Sequence, residues 1–283
     1  MDKVIVTGSD GFIGKILVAS LRELKFEVIE ISRKSGDITD ELLWKELPKS
    51  DVVIHLAGAS NIPESWLKPS KFVNVNVGGT IQALEYCASH NARIIFASTY
   101  IYGIPKELPV KESHQKNQNN PYALSKYLAE ESCKFYSDYM DVKATILRFF
   151  NIYGAGQGEN FLIPSIVGQI KKDNGIILND LDPKRDYLYV HDAVSAIIKS
   201  IPLRKGFSVI NIGSGASYSV KQVVDLIQKK MNTSLSIAEK KVKRKNEIEN
   251  VIADISYAKI VLDWEPKYKF DEGVGEMLLH MRD

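Results

Sequence analysis

Tyr122 and Lys126 stand four residues apart in the segment Asn120-Pro121-Tyr122-Ala123-Leu124-Ser125-Lys126. On a helix that spacing puts both side chains on one face, and Pro121 is tolerated in the first turn of such a helix. A free phenol ionises near ~10, so a tyrosine that exchanges protons near neutrality needs a neighbouring cation such as Lys126. A chain with 13 tyrosines offers such a pair by chance, and alone it would be surface decoration. Ser98 changes the balance. It falls at the end of the strand predicted over 93–97, where a parallel sheet presents its working groups. Its hydroxyl can hold an oxygen to which Tyr122 gives, or from which it takes, a proton.

A second cluster concerns phosphate. The short apolar run 4–6 leads into Thr7-Gly8-Ser9-Asp10-Gly11-Phe12-Ile13-Gly14, a TGxxGxxG pattern between a strand and a helix. Gly8 permits the tight turn, Gly11 lets backbone N–H groups approach a pyrophosphate at the helix N-terminus, and Gly14 lets helix and strand pack closely. Phe12 and Ile13 then face the core. At the end of the second strand, an NAD-preferring site places an acid on the adenosine ribose. Here the run 28–31 ends in Ser32-Arg33-Lys34, and Glu30 lies too deep to reach that ribose. A hydroxyl followed by a guanidinium suits a 2′-phosphate, so NADP(H) is the expected cofactor and NAD(H) the alternative.

The elements that must position these groups are legible in the alternation of short β-branched runs with amphipathic segments. Strands are predicted over 4–7, 28–31, 52–56, 94–97 and 144–147, with helices over 11–24 and from about residue 122. That alternation predicts an α/β chain with a doubly wound parallel sheet, because parallel strands need a helix to return the chain. Residues 1–150 are read as a dinucleotide-binding domain and 151–283 as a smaller substrate lobe, with some chain crossing back. The second half is read as looser, with loops at 151–158 and 181–185 and short helices such as 220–230. The crevice between the two halves, at the carboxyl ends of the strands, is the default ligand site.

Composition excludes several classes. In 283 residues, 45% apolar and 25% charged side chains are ordinary for a folded globular chain. A net charge of +2, from 37 basic and 35 acidic residues, gives no overall field to attract nucleic acid or an anionic membrane. The basic stretch at 240–245 is read as a solvated face or a phosphate contact. Cys87 and Cys133 lack partners at metal-ligand spacing, so neither a disulfide framework nor a bound metal is expected. No leader-like segment and no run of eighteen apolar residues occurs, and a cytoplasmic location is expected.

With TGSDGFIG, Gly36-Asp37-Ile38, His55-Leu56-Ala57-Gly58, Asn76-Val77-Gly78-Gly79-Thr80, Ser98-Thr99-Tyr100-Ile101-Tyr102-Gly103 and YALSK in hand, the chain resembles the extended short-chain dehydrogenase/reductases. This is the NAD-dependent epimerase/dehydratase family, and the resemblance spans nearly the whole chain. It implies a Rossmann fold and a catalytic set of Ser98, Tyr122 and Lys126, with Lys126 also fixing the nicotinamide ribose. It adds Phe12, Ile13, Leu56, Ala57, Gly58 and Phe149 to the cofactor's surroundings, with Asp37 and Ile38 at the adenine. On the substrate side it implies Ser98 and Thr99, Asn151 on the diphosphate, and Asn160 and Phe161 over the nucleotide. Arg185 and Arg244 are implied on phosphate and Glu247 on the nucleoside, whereas His191 and Asp192 are read as structural. The implied partner is a nucleotide-diphosphate sugar, and the implied assembly is a homodimer through a four-helix interface of the helix after Asn76 and the helix after Tyr122, with Leu128, Phe135 and Tyr136 beyond the latter's catalytic face.

Similar proteins are nucleotide-sugar 4-epimerases, 4,6-dehydratases, decarboxylases and 4-ketoreductases. The usual dehydratase pattern has an Asp-Glu pair directly after the catalytic hydroxyl residue, where this chain has Thr99-Tyr100, so dehydration is not expected. The Ser32-Arg33 pair and the Gly156-Gln157-Gly158-Glu159-Asn160 stretch favour a 4-ketoreductase acting on a nucleotide-linked 4-keto-6-deoxyhexose. A nucleotide-sugar 4-epimerase is the alternative. A non-catalytic dinucleotide sensor is the remote one, since such relatives typically lack the Tyr/Lys pair.

Overall fold

The computed structural model describes residues 3–173, 175–242 and 246–281. In the first half the order is β1 (Lys3–Thr7), α1 (Phe12–Glu23), β2 (Glu27–Ile31), α2 (Glu41–Lys45), β3 (Val52–His55), α3 (Ile62–Leu67) and α4 (Pro69–Val73). A π-helical turn, Asn74–Gly78, leads into α5 (Gly79–His90), followed by β4 (Arg93–Thr99), α6 (Pro121–Tyr139) and β5 (Ala144–Phe149). The second half continues with β6 (Asn151–Tyr153), α7 (Leu162–Lys171), β7 (Ile176–Leu178), β8 (Lys184–Tyr189) and α8 (Val190–Ser200). It ends with β9 (Phe207–Ile212), β10 (Ser217–Ser219), α9 (Val220–Lys230), β11 (Ile237–Glu239), α10 (Ser256–Leu262) and α11 (Phe270–Leu279).

Six parallel strands form the main sheet in the order β2-β1-β3-β4-β5-β9. Its strands β3 and β5 are buried end to end and β4 is buried except for Ala97 and Thr99, the near-continuous apolar pattern of strands covered on both faces. On one face α1 contributes Leu17, Val18 and Leu21, at helical spacing, to a core shared with Ala193, Ala196 and Ile197 of α8. On the other, Leu84 and Cys87 of α5 and Ala129 and Cys133 of α6 pack over Ile5, Val53, Ile94 and Phe96. Both cysteines are free and buried. Among the described residues no helix is long and apolar enough to cross a membrane, and no cluster of three metal-ligating side chains occurs.

The second half is more regular than its sequence implies. The expected loop at 151–158 opens with β6, and the one at 181–185 runs into β8; these two strands pair in parallel, and β8 pairs antiparallel with β10. Around this small sheet α7, α9 and α11 close a second core on Tyr153, Val223, Ile227 and Phe270. The strand β9 then returns to the edge of the main sheet, so chain from the second half completes the first half's architecture. Asp186 pins the junction. Its buried carboxylate accepts from Ser214 N and Oγ, Gly215 N and Ala253 N at 2.6–3.0 Å.

Candidate active site

Strands run outward from β1 in both directions, to β2 on one side and β3 on the other, so the helices that follow them diverge and leave a crevice at their carboxyl ends. A cavity of about 890 Å³ fills it. Its wall is built from residues that follow β1, β3, β4 and β5, facing a second wall from the small lobe.

The phosphate loop behaves as its glycines require. Gly8 has φ +68, and a Cβ there would lie 3.0 Å from Ala57 N. A Cβ on Gly14 would lie only 2.1 Å from the Gly8 carbonyl oxygen, so α1 sits directly on the turn. No side chain caps α1, whose N-cap is Gly11. Its first N–H groups therefore lack a side-chain acceptor and open on a cavity that Gly8, Gly11 and Gly14 all line, the arrangement that receives a pyrophosphate. Phe12 and Ile13 are half-buried. They pack on the small lobe's core and also line the cavity, so they are not purely core residues. Leu56 and Gly58 line it too, whereas Ala57 lies behind the loop, its N–H donating to Thr7 Oγ1 at 3.1 Å.

Past the end of β2, where the adenosine is expected, both nearby acids have partners within the chain. Glu30 is ion-paired with Arg22 of α1. Asp37 accepts from Thr39 N at 2.9 Å and Thr39 Oγ1 at 2.8 Å, and these bonds hold its carboxyl below the usual range. Ser32 Oγ accepts from Lys34 N in a local turn, and Ile38 packs under Gly79. Ser32, Arg33, Asp37 and Ile38 stand outside the cavity wall. Arg33 is exposed, in the electrostatic range of Glu64.

Asn120 caps α6, its Oδ1 accepting from Ala123 N at 2.8 Å, and fixes where the helix starts. The half-buried Tyr122 and the buried Lys126 then line the cavity from one face of α6, with Phe72 edge-on to the phenol ring. Asn76 clamps the helix to the chain after β3, bonding Ala59 N, Ala59 O and Ser125 Oγ at 2.7–3.0 Å. The Thr99 side chain acts on the phenol as a hydrogen-bond partner that lowers its pKa. Ser98 also borders the cavity, but it is 5% exposed and its Oγ donates to the buried Glu130 carboxylate at 2.5 Å.

The charge relation expected between Lys126 and Tyr122 differs from the one found. The Lys126 ammonium lies 4.0 Å from the centroid of the Phe96 ring, and burial pulls its pKa down to about 8, with Glu130 opposing. Burial likewise pushes Tyr122 up to about 12, opposed by the Thr99 hydrogen bond. The phenol is not lowered by Lys126, whose ammonium lies over the Phe96 ring and in the electrostatic range of Glu130. Tyr122 is therefore a protonated phenol near neutrality, a donor. His55, buried behind Phe96 and bonded through Nδ1 to Thr7 Oγ1, is driven down to about 3 by burial and by Lys126, and stays neutral.

Phe149, at the end of β5, also lines the cavity, and on the opposite wall so do Asn151, Phe161, Arg185 and Glu247. The Asn151 amide donates to Asp186 O at 3.1 Å, and Arg185 is ion-paired with Glu247. Asn160 is off the wall, packed against Gly158. Arg244 lies outside the described residues. His191 packs tilted against Tyr189, and Asp192 accepts from Lys267 N and Tyr268 N at 2.9 and 3.1 Å, both away from the cavity. Sequence reading missed Trp66 of α3, Tyr100 and Asn119 as wall residues. Tyr100 had a signal, lying in the motif at 98–103; Trp66 had none.

A Rossmann-type sheet with a glycine turn under a helix N-terminus, and a Tyr/Lys helix across from it, defines a dinucleotide-dependent enzyme of the short-chain class. The chain belongs to the NAD dependent epimerase/dehydratase family, whose profile matches residues 4–213. Among similar proteins, a GDP-6-deoxy-D-talose 4-dehydrogenase of Aggregatibacter actinomycetemcomitans is 34% identical over 80% of this chain and 79% of its own. The UDP-glucose 4-epimerase of Thermotoga maritima, solved with UDP-glucose, superposes with a TM-score of 0.94 at 26% identity, covering 99% of this chain and 98% of that one. RMD from Pseudomonas aeruginosa, complexed with NADPH, gives 0.90 at 26% identity over 99% and 97%.

Proposed function

We propose that this chain reduces the 4-keto group of a nucleotide-diphosphate 4-keto-6-deoxyhexose with NADP(H), in the making of deoxyhexoses for surface polysaccharides. The end of β2 carries the reading. Both nearby acids are engaged elsewhere, Glu30 by Arg22 and Asp37 by Thr39, while Arg33 is exposed and able to take a 2′-phosphate. Exchangeable NADPH suits a reductase, which must release oxidised cofactor every cycle. Similarity to a GDP-6-deoxy-D-talose 4-dehydrogenase and to RMD with NADPH supports the same direction.

When bound, the nicotinamide supplies the hydride that reaches the carbonyl carbon. The chain's own part is the proton and its alignment. Tyr122, held neutral, donates to the carbonyl oxygen; Thr99 takes over the hydroxyl role first expected of Ser98, because it is the hydroxyl beside the phenol. Lys126 holds the nicotinamide ribose. Asn151, Phe161 and Arg185, on the far wall, are the proposed contacts of the nucleotide diphosphate.

A nucleotide-linked 4-keto-6-deoxyhexose is expected to oxidise added NADPH one-for-one, followed by loss of absorbance at the reduced nicotinamide band. The 4-epimerase reading is favoured by the superposition on the UDP-glucose 4-epimerase. It predicts instead tightly held NAD in the purified protein and interconversion of 4-epimers with no net cofactor change, and that result would replace the reductase. Arg33→Asp is expected to reverse a preference for NADPH over NADH. Equal wild-type affinities in a fluorescence titration remove the argument from β2.

Along α6, Leu124, Leu128, Phe135 and Tyr139 are 36–76% exposed. Tyr136, also named from sequence, turns instead toward the main sheet's core. An apolar stripe of this kind fits a homodimer in which paired helices cover it. Light scattering at micromolar concentration is expected to give twice the chain mass; a monomer mass counts against it.

A further inference from the structure

Tyr122, Lys126 and Glu130 succeed one another along α6 at four-residue steps and so share a face. The first two border the cavity. Glu130 lies one turn deeper and is 2% exposed. Arg148 of β5, equally buried, donates from Nε to both Glu130 oxygens at 3.0 and 3.2 Å and from Nη2 at 2.6 Å. The Ser98 hydroxyl donates to the same carboxylate. Arg148 Nη1 donates onward to the Tyr102 hydroxyl at 2.9 Å, which donates to Asn211 Oδ1 of β9 at 2.6 Å. One buried chain of hydrogen bonds therefore ties the carboxyl ends of β4, β5 and β9 to the catalytic helix.

A buried ion pair is a weak source of stability, because desolvating two charges offsets most of their attraction. What it does supply is geometry. With its hydroxyl held on Glu130, Ser98 is engaged below the phenol, and the side chain that hydrogen-bonds the phenol is Thr99, the last residue of β4. Ser98 pairs with Arg148 across β4 and β5, and Thr99 with Phe149, so the anchor lies in the same rung of the sheet as the hydroxyl it displaces.

We propose that Glu130 and Arg148 are positioning residues for the proton-transfer site: their ion pair draws the Ser98 hydroxyl inward, leaves Thr99 beside the Tyr122 phenol, and sets the depth of α6 against the strand ends. The inference rests on Tyr122 being the group that transfers the proton.

The double variant Glu130→Leu/Arg148→Met removes both charges without stranding either, so it is expected to fold. Its crystal structure is expected to show Ser98 released and the Thr99 hydroxyl moved off the phenol. In whichever nucleotide-sugar reaction the wild type performs, kcat is expected to fall at least about tenfold with KM within about threefold, because alignment and not binding is lost. Ser98→Ala, which removes one spoke, is expected to cost kcat only about threefold. Should the double variant not fold, Glu130→Gln must show the same displacement. Thr99 still on Tyr122 in the folded variant overturns the proposal, whatever the rate. Displacement of Thr99, with no nucleotide sugar turned over even by the wild type, upholds the positioning and fails the functional reading instead.

Discussion

Replacing Tyr122 with Phe is expected to lower turnover by at least about a hundredfold while leaving dinucleotide affinity within about twofold. The substitution deletes one oxygen and keeps the ring that packs edge-on against Phe72, so the fold and the start of α6 have no reason to move. No neighbour can replace the lost donor. Thr99 is an alcohol, far too weak an acid; the Lys126 ammonium is turned to the Phe96 face; and His55, neutral and behind that ring, is bonded to Thr7. The contrast is Lys126→Ala, which is expected to weaken cofactor binding and, with it, turnover, since that side chain is the proposed holder of the nicotinamide ribose. Steady-state rates with a fluorescence titration of the dinucleotide separate the cases. Turnover of Tyr122→Phe within tenfold of the wild type would mean that the proton comes from elsewhere.

The Tyr122/Lys126 pair and the glycine turn were legible because each depends on spacing along one local element, a helix face in one case and a strand-to-helix turn in the other. The engagement of Ser98 by Glu130, on which the proposed role of Thr99 rests, was not. Both hydroxyl residues stand at the end of β4, and what separates them is Glu130, engaged by an arginine 18 residues further along a different strand. The same limit applies to charge. Proximity of Lys126 to Tyr122 reads from a four-residue spacing, but burial, which moves both groups against expectation, is a property of everything packed around them. In the second half, residues 151–158 and 181–185 read as loops from sequence. Pairing among β6, β8 and β10, which are distant in sequence, draws part of each segment into the small sheet. Trp66 illustrates the remaining gap, since a wall residue on a six-residue helix has no pattern to mark it.

Gly14→Ala is expected to abolish dinucleotide binding in the accessible range, at least about a hundredfold in affinity, and to lower Tm by several degrees. The reason is backbone geometry. The added Cβ would sit 2.1 Å from the Gly8 carbonyl oxygen and 2.8 Å from Ser9 Cα, and neither can yield as a flexible side chain would. Gly8 is itself held at φ +68 against Ala57, so the turn cannot retreat. The part that must move is α1, by roughly an ångström, against the Leu17 and Leu21 packing on the sheet; overpacking of this sort costs about 1–3 kcal/mol. That movement carries the uncapped N–H groups of α1 away from the turn, and they are the donors a pyrophosphate would use. Gly168→Ala supplies the control. It lies within α7 with nothing inside 4 Å of the added carbon, so it is expected to be neutral or to stabilise by up to about 1 kcal/mol through helix propensity. Thermal melts and dinucleotide titrations of the two variants side by side test the argument, and a Gly14→Ala protein that binds as the wild type does would show that the contact between α1 and the turn is not what holds the phosphate loop in place.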